Sequence, residues 1–146
     1  MTAEAHEGGC LCGAVRYRVR GEPVVGLVCH CTYCQKRTGS AFAVLGYFNE
    51  SDVQFVKGEL TLREHRSDET GRWLRAEFCP ACGTNVTLTV ELRPGLRAFA
   101  GATFDEPHWF RIERHVWTRS KRPWVQIPAD VAVFPEGSAG GTIKNS

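Results

Sequence analysis

The sequence contains no long apolar run, and its charges are nearly balanced. The longest uninterrupted apolar stretches, such as Ala41–Leu45, are far shorter than the ~20 residues that a membrane-spanning helix requires. The 18 Lys and Arg residues oppose 16 Asp and Glu residues, which gives a formal net charge of only +2. Because binding to nucleic acids or membrane surfaces relies on a basic excess, we expect neither kind of partner.

The sequence also lacks a secretory signal and sustained helical periodicity. Its first residues, MTAEAHEGG, contain neither the basic cluster nor the apolar segment of a signal peptide. We therefore expect a cytoplasmic protein, in which clustered cysteines bind metal or take part in catalysis more often than they form disulfides. The pattern of apolar residues indicates only two short helical segments, Thr32–Arg37 and Pro107–Ile112.

Segments with the pattern of short β-strands run through most of the chain. In Ala14–Arg20, Val15, Tyr17 and Val19 alternate with three arginines, which is the period-two pattern of a half-buried strand. Similar runs of β-branched and aromatic residues follow, most of them separated by Gly, Pro, Asn or Asp. They are Val24–Val28, Ala41–Phe48, Val53–Val56, Leu60–His65, Trp73–Phe78, Asn85–Leu92, Leu96–Ala100 and His115–Thr118.

A chain of 146 residues has the length of a single domain with one core. We predict a mainly β zinc-binding catalytic domain of short antiparallel strands at residues 8–136. Residues 1–7 are expected to form a flexible N-terminus. Residues 137–146 are rich in Gly and small polar types, so we expect a flexible tail there.

Cysteine is the most informative residue type, because the chain has seven cysteines in three tight groups. These are Cys10 and Cys12, then Cys29, Cys31 and Cys34, then Cys79 and Cys82. Thiolates one or two residues apart can reach a single ion from one turn, as in many zinc sites. Four thiolates close a tetrahedral structural site, whereas three leave one coordination position for water or an outside ligand. The sequence therefore predicts two zinc ions, one structural and one catalytic.

The residue after each group indicates which cysteines share an ion. Glycine follows the first and third groups, at Gly13 and Gly83, whereas Gln35 follows the second. Glycine permits the positive φ at which a tight turn directs backbone N–H groups at the preceding thiolates. The first and third groups therefore form the predicted structural site, although Cys12 and Cys79 are 67 positions apart. Zinc-finger DNA readers use spacers of about 12–20 residues, so this spacing argues against that class.

Three other interpretations of the cysteines remain open. A single four-cysteine zinc site would leave the middle three as ordinary buried residues. Two structural sites would need an eighth ligand, supplied by His30 or another histidine. A redox role for Cys31 and Cys34 is typical of folds with a βαβ pattern, which this sequence lacks.

Four strings of residues, in order along most of the chain, carry a resemblance to a known family. They are GGCLCGAVRY at Gly8–Tyr17, CHCTYCQKRTGSAF at Cys29–Phe42, FCPACGTNV at Phe78–Val86 and HVWTRSKRPW at His115–Trp124. With them the sequence resembles the glutathione-dependent formaldehyde-activating enzyme family, which is related to the domain of centromere protein V.

The resemblance implies a β-tent fold, two zinc ions and a reaction. The family's structural ligands map onto Cys10, Cys12, Cys79 and Cys82, and its catalytic ligands map onto Cys29, Cys31 and Cys34. The glycine positions favour the same division. The implied reaction joins glutathione, as co-substrate, to formaldehyde to give S-hydroxymethylglutathione, a detoxifying carbon–sulfur bond formation classed with the lyases.

Basic, hydroxyl and aromatic residues are candidates for substrate contact. Arg37, with Lys36, directly follows the middle cysteine group and is the candidate for binding a glutathione carboxylate, since Arg binds carboxylates in a bidentate manner. Thr38, Ser40 or a water molecule is expected to deliver a proton. Core packing and the wall of an apolar pocket are the two interpretations of Trp73, Trp109, Trp117 and Trp124.

A non-catalytic zinc-binding β-tent module that binds a protein partner is the alternative to an enzyme. The absence of an acid–base pair that spacing alone can identify favours this alternative. The complete set of three middle cysteines favours the enzyme, because a scaffold needs no open coordination position. Nucleic-acid binding has the least support, since the chain carries no long basic extension.

Overall fold

The computed structural model describes residues 4–138, and β-strands are the main element of secondary structure. The strands are β1 (Ala5–Gly9), β2 (Arg16–Arg20), β3 (Val25–Cys29), β4 (Ala43–Asn49), β5 (Val53–Lys57), β6 (Thr61–Arg66), β7 (Trp73–Phe78), β8 (Asn85–Val90), β9 (Leu96–Ala100), β10 (Arg114–Val116) and β11 (Ala132–Val133). The helices are α1 (Thr32–Thr38) and short 3-10 helices at Glu50–Asp52, Gly101–Thr103 and Thr118–Ser120. The predicted mainly β fold is confirmed, and no helix within residues 4–138 has the length and apolarity needed to cross a membrane.

Two sheets make up the domain. The smaller sheet has the strand order β1-β2-β5, and the larger has the order β11-β10-β3-β4-β9-β8-β7-β6. Neighbouring strands are antiparallel, as predicted, except that β10 pairs in parallel with both β3 and β11. The parallel pairing sets Val116 opposite Cys29, so it attaches a late part of the chain to the strand that ends in the second cysteine group.

The predicted alternation around β2 is confirmed by its burial. Val15, Tyr17 and Val19 are at most 1% exposed, whereas the arginines between them reach the surface. The three buried residues belong to one apolar cluster with Phe48 and Phe99 of the larger sheet. Each such side chain contributes about 1.5–3 kcal/mol when it is fully buried, so this cluster binds the two sheets to each other.

The larger sheet packs apolar residues on both faces. One face contacts the smaller sheet through Phe48 and Phe99. The other face carries a second apolar cluster that includes Leu27, Leu45 and the buried Cys34 of α1. The larger sheet and α1 thus form a core of their own, apart from the contact between the sheets.

The prediction of a helix at Pro107–Ile112 is wrong. His108 has a left-handed φ of 56°, and its N–H donates to the carbonyl oxygen of Gly101 at 3.0 Å. The ring of Trp109 stacks on His6 of β1, with 3.5 Å between the ring centres. Contacts with other elements therefore decide the backbone here and override the local pattern.

The first strand begins earlier than the domain boundary predicted from the sequence. All residues of β1 pair with β2, from Ala5 opposite Arg20 to Gly9 opposite Arg16. Residues 5–7 thus belong to the smaller sheet, although the predicted flexible N-terminus covered residues 1–7. At the other end, Ser138 is buried, and the predicted tail lies outside the described residues from position 139 onward.

Candidate metal centres and the adjoining cavity

The cysteines form two groups of neighbouring free thiols. In each group all the sulfur atoms lie within 4.8 Å of one another. The four-cysteine cluster consists of Cys10, Cys12, Cys79 and Cys82. The three-cysteine cluster consists of Cys29, Cys31 and Cys34. The structure therefore brings the cysteines together in the two sets into which the glycine positions divide them.

The four-cysteine cluster joins the two sheets. Cys10 and Cys12 lie in the loop between β1 and β2, and Cys79 and Cys82 lie in the loop between β7 and β8. The Sγ atoms of Cys10 and Cys12 are 3.7 Å apart, and those of Cys12 and Cys79 are 3.9 Å apart. A tetrahedral zinc ion with Zn–S bonds of about 2.3 Å separates its sulfur ligands by about 3.8 Å, so the donor set fits this ion.

Both loops of the four-cysteine cluster turn at the glycine that follows the cysteine pair. Gly13 has a φ of 82°, and its N–H donates to the carbonyl oxygen of Cys10 at 3.2 Å. Gly83 has a φ of 79°, and its N–H donates to the carbonyl oxygen of Cys79 at 2.8 Å. The positive φ predicted for both glycines is confirmed, and the two pairs adopt the same kind of tight turn.

Backbone and hydroxyl donors surround the four-cysteine cluster. The N–H of Val15 donates to Cys10 Sγ at 3.2 Å. Thr84 Oγ1 lies 3.1 Å from Cys82 Sγ and accepts the N–H of Leu11 at 3.1 Å. This hydroxyl, together with backbone N–H groups, lowers the pKa of Cys82 to about 5, because the donors stabilise the thiolate. Sequence reasoning did not identify Thr84, although its position two residues after the last cysteine was a usable signal.

The three-cysteine cluster is built from two consecutive elements. Cys29 is the last residue of β3, Cys31 caps the N-terminus of α1, and Cys34 lies in the first turn of this helix. The N–H of Cys34 donates to Cys31 Sγ at 3.3 Å. Cys29 and Cys34 are buried, and Cys31 is half-buried. A helix start therefore positions these thiols, in place of the glycine turns of the four-cysteine cluster.

Hydrogen bonds among the three thiols distribute their protons unequally. Donation from Cys29 and Cys34 lowers the pKa of Cys31 to about 3. The bonds to Cys31 and Cys34, with burial, raise the pKa of Cys29 well above its ordinary value. A bond with Cys29 lowers the pKa of Cys34, but the Cys31 thiolate and burial outweigh it and raise this pKa to about 12. At neutral pH the free cluster therefore carries one thiolate and two thiols.

His30 lies between two cysteines in sequence but is hydrogen-bonded elsewhere. Its Nε2 is 2.8 Å from Nδ1 of His115, and its side chain is fully buried. Burial, with the neighbouring His115, lowers the pKa of His30 to about 4. The candidate metal-ligand groups among residues 4–138 contain cysteine alone. The geometry therefore disfavours His30 as an eighth zinc ligand.

A cavity of about 120 Å³, called the chamber below, adjoins the three-cysteine cluster. All three cysteines of the cluster line this chamber. Much of the remaining wall is apolar and includes Leu27, Leu45, Leu88, Val90 and Val116. Trp73 and Trp117 also line the chamber, whereas Trp109 packs against the core between the sheets and Trp124 is exposed. Trp73 and Trp117 therefore fit the interpretation as a pocket wall, and Trp109 fits the interpretation as core packing.

Two buried polar residues that sequence reasoning missed also line the chamber. Arg93 is 6% exposed and Tyr47 is 4% exposed. The guanidinium carbon of Arg93 lies 4.8 Å from the centre of the Tyr47 ring. Arg93 follows β8 in the string ELRPG, whose proline and glycine are typical of an exposed turn, so no local signal indicated its burial.

A wider cleft of about 550 Å³, called the outer cleft below, adjoins the chamber. Tyr33 and Ser67 belong to the walls of both. Lys36 and Arg37 line the outer cleft, and Arg37 Nη2 lies 4.0 Å from Cys34 Sγ. The predicted substrate-binding Arg37 thus borders both the outer cleft and the three-cysteine cluster.

The hydroxyl groups of Thr38 and Ser40 line neither the chamber nor the outer cleft. Thr38 Oγ1 donates to the carbonyl oxygen of Cys34 at 2.7 Å and accepts the N–H of Ser40 at 3.1 Å. Tyr33 lines both spaces instead, and burial raises the pKa of its phenol. Among Thr38, Ser40 and Tyr33, therefore, Tyr33 is the hydroxyl-bearing residue that lines the cavity.

Comparisons with known proteins match most of the chain. A Halomonas elongata protein provisionally named a glutathione-dependent formaldehyde-activating enzyme is 27% identical over 125 residues, which are 83% of this chain and 80% of that protein. The crystal structure of a Rhodobacter sphaeroides protein matches with a TM-score of 0.56 at 25% identity, over 68% of this chain and 88% of that one. The sequence profile of glutathione-dependent formaldehyde-activating enzymes matches residues 5–120, a range that includes every cysteine of both clusters. The chain therefore belongs to the glutathione-dependent formaldehyde-activating enzyme family.

Proposed function

We propose that this protein is a zinc-dependent carbon–sulfur lyase of the cytoplasm that joins glutathione to formaldehyde and so gives S-hydroxymethylglutathione. One observation carries the proposal: the three-cysteine cluster, one ligand short of a closed tetrahedral site, lies on the wall of a cavity. Membership of the family supports chemistry between glutathione and formaldehyde. The reaction removes free formaldehyde, which is a detoxifying role.

The two clusters have different proposed roles. The four-cysteine cluster holds a structural zinc ion, and the three-cysteine cluster holds a catalytic one. When bound, a zinc ion with three thiolate ligands supplies an open coordination position that acidifies a thiol or polarises an oxygen atom. The residues around each cluster agree with this division, because only the three-cysteine cluster lines the chamber.

The outer cleft has the size and charge for glutathione. Its volume of about 550 Å³ lies within the range of 300–1,000 Å³ that is typical of small-molecule sites. Lys36 and Arg37 line the cleft and offer two cations to the two carboxylates of glutathione, and Asp68 and Glu69, which also line it, offer carboxylates to the ammonium group of glutathione. Because Arg37 also contacts Cys34, a carboxylate bound there would hold the glutathione thiol near the cluster.

The bond-forming step needs a thiolate, a carbonyl carbon and a proton donor. The glutathione sulfur attacks the carbonyl carbon, a C–S bond forms, and the π electron pair of the C=O bond moves to the oxygen, which takes a proton. Tyr33 supplies this proton in our proposal, since it borders both spaces and burial keeps its phenol protonated. The proton that glutathione loses restores the phenol, so the reaction consumes no other reagent.

Magnetisation-transfer NMR of a glutathione and formaldehyde mixture tests this function. We expect the wild-type protein to accelerate exchange between the free and adduct forms above the rate without protein. We expect Cys34→Ala to return the exchange to the spontaneous rate while its circular dichroism stays that of a folded protein. Wild-type protein that leaves the spontaneous rate unchanged would contradict the proposed function, and full activity of Cys34→Ala would contradict the assigned site.

A further inference from the structure

The chamber behind the three-cysteine cluster holds a buried cation for which the proposed reaction with formaldehyde has no use. Arg93 lines the chamber, is 6% exposed, and forms no salt bridge within residues 4–138. Its Nη2 donates to Ser138 Oγ at 3.3 Å, but within the same residues its Nη1 has no hydrogen-bond partner. A buried guanidinium with an unused donor is costly, because the interior does not replace the water that it loses.

A second polar group lies at the same end of the chamber. Tyr47 stacks its ring under the Arg93 guanidinium, is 4% exposed, and lines the chamber as well. The guanidinium and the phenol therefore present N–H and O–H donors to one small volume. Donors of this kind, converging from buried positions, form the usual setting for a carboxylate.

The strand register places these donors and the cysteines at opposite ends of one face. Cys29 and Leu27 line the chamber from β3, and Tyr47 lies opposite Val25 on β4. Four residues of β-strand separate Val25 from Cys29, which is a span of about 13 Å at about 3.3 Å per residue. Leu27 and Leu45, which pair with each other, lie between the two ends. The wall that β3 and β4 contribute is thus polar at both ends and apolar in the middle, while Glu69 and Arg72, elsewhere on the wall, carry opposite charges.

From this arrangement we propose that the chamber binds an aldehyde that carries a carboxylate, with the carboxylate on Arg93 and Tyr47, the apolar body between Leu27 and Leu45, and the carbonyl group at the three-cysteine cluster. This inference rests on the proposed function and names its aldehyde class. A cavity of about 150 Å³ holds the six carbon atoms of benzene, so the chamber, at about 120 Å³, accepts about five non-hydrogen atoms. The carboxylate and two methylene groups of a short oxo acid such as 4-oxobutanoate are five such atoms, and they leave its carbonyl group at the three-cysteine cluster.

The chemical step is the same as with formaldehyde. The thiolate sulfur of glutathione attacks the carbonyl carbon, the C–S bond forms, the π electron pair moves to the oxygen, and a proton completes the hydroxyl group. Formaldehyde, with two non-hydrogen atoms, reaches neither Arg93 nor the apolar middle of the chamber. The carboxylate therefore adds binding free energy that formaldehyde lacks, and an oxo acid is the preferred aldehyde.

A binding experiment with unreactive probes tests the carboxylate site alone. Pentanoate and pentanamide have the same shape and differ in charge, and their affinities for the zinc-loaded wild-type protein are measured by NMR titration. We expect pentanoate to bind at least ten-fold more tightly than pentanamide. Equal affinities, or no binding of either probe, would overturn the proposal, and this comparison depends on no variant.

Variants then locate the site. Arg93→Met should bring the two affinities within two-fold of each other, and Arg93→Lys should keep part of the preference because the charge remains. Arg63→Met is the matched control, since Arg63 is exposed on β6 and lines neither the chamber nor the outer cleft; it should keep the full preference. Pentanoate binding that persists in Arg93→Met and disappears in Cys34→Ala would place the carboxylate at the metal and would overturn the proposal.

Activity separates this inference from the proposed function. We expect the wild-type protein to accelerate formation of the glutathione adduct of 4-oxobutanoate at least ten-fold more than that of butanal, and Arg93→Met to remove this difference. Acceleration with formaldehyde and no preference for 4-oxobutanoate over butanal would overturn the inference and leave the proposed function in place. Arg93-dependent pentanoate binding without acceleration of any adduct would contradict the proposed function and leave the carboxylate site.

Discussion

The two cysteine clusters use the same ligand atom in opposite surroundings. The four-cysteine cluster joins loops whose cysteines are 67 positions apart, and it ties the smaller sheet to the larger one. The three-cysteine cluster lies within the six residues Cys29–Cys34 and lines the chamber. A cation at the first cluster closes a long loop, whereas a cation at the second closes almost none. The position of the ligands in the chain therefore supports the proposed division into a structural site and a catalytic one.

The local backbone differs between the clusters in the same sense. Glycine turns at Gly13 and Gly83 place N–H groups and four thiols around one point, which leaves no coordination position open. The helix start at Cys31 brings only three thiols together, and its fourth side is the chamber. Removal of one cysteine from each cluster tests this difference most strongly, and proton release and a change at Arg37 test it with smaller effects.

The largest effect is expected from Cys79→Ala. Structural zinc sites contribute about 10–16 kcal/mol in small domains, and a whole domain is stable by only about 5–15 kcal/mol. We therefore expect this variant to be unfolded at 25 °C, as measured by loss of the near-ultraviolet circular dichroism signal and of cooperative thermal unfolding. An unchanged melting temperature would refute the structural role of the four-cysteine cluster.

A smaller effect on stability is expected from Cys34→Ala, which removes the same ligand atom from the other cluster. We expect two zinc ions per chain in the wild type and one in the variant. The melting temperature of the variant should fall by about 10 °C or less, since the truncated side chain is small. Elemental analysis and calorimetry measure both quantities. A Cys34→Ala protein as unstable as Cys79→Ala would remove the distinction between the clusters.

The third prediction concerns protons at the three-cysteine cluster. Hydrogen bonds from Cys29 and Cys34 lower the pKa of Cys31 to about 3, while the pKa of Cys34 is raised to about 12 and that of Cys29 is also raised. At pH 7 the free cluster is ionised at Cys31 alone, so binding of the second zinc ion should release about two protons. The affinity should rise by about 100-fold per pH unit between pH 6 and pH 8.

Calorimetry in buffers of different ionisation enthalpy measures the number of protons released. The protein is prepared with one zinc ion per chain, so that only the three-cysteine cluster takes up metal during the titration. Release of about three protons, or of none, would show that the thiols do not share their protons as described.

The smallest effect is expected from Arg37→Met. Arg37 Nη2 lies 4.0 Å from Cys34 Sγ and lines the outer cleft, so its loss removes a cation from both. A partly exposed ionic contact contributes about 0.2–1 kcal/mol, so we expect the KM for glutathione to rise by about two- to five-fold with stability unchanged. Arg63→Met, which removes an arginine outside the outer cleft, is the matched control. An equal rise in the KM for glutathione in this control would contradict a role of Arg37 in binding glutathione.

Local patterns in the sequence predicted much of both clusters. The cysteine spacing and the two glycines are features of a few adjacent residues, and they grouped the ligands as the structure places them. The alternation of Val15, Tyr17 and Val19 likewise predicted a buried face. Such features are predictable because a turn or a strand depends mainly on neighbours in the chain.

The chamber was not predictable, because its parts come together only in the folded sheet. Its wall combines residues of β3, β4, β7, β8 and β10, and the parallel pairing of β10 with β3 leaves no local trace in the sequence. Arg93 follows β8 beside a proline and a glycine, a context that indicates a solvated turn, yet it is buried over Tyr47. For Pro107–Ile112, tertiary contacts of His108 and Trp109 prevailed over the local pattern.

The long spacing within the four-cysteine cluster also has a consequence for biosynthesis. A ribosome adds about 5–20 residues per second, so Cys79 is made about 3–13 s after Cys12. Once Cys34 has been added, 45 positions before Cys79, the nascent chain carries Cys10, Cys12 and the whole three-cysteine cluster. The three-cysteine set is thus complete before the four-cysteine set, so an ion captured early by the emerging chain finds three thiols at Cys29–Cys34 and only two at Cys10 and Cys12.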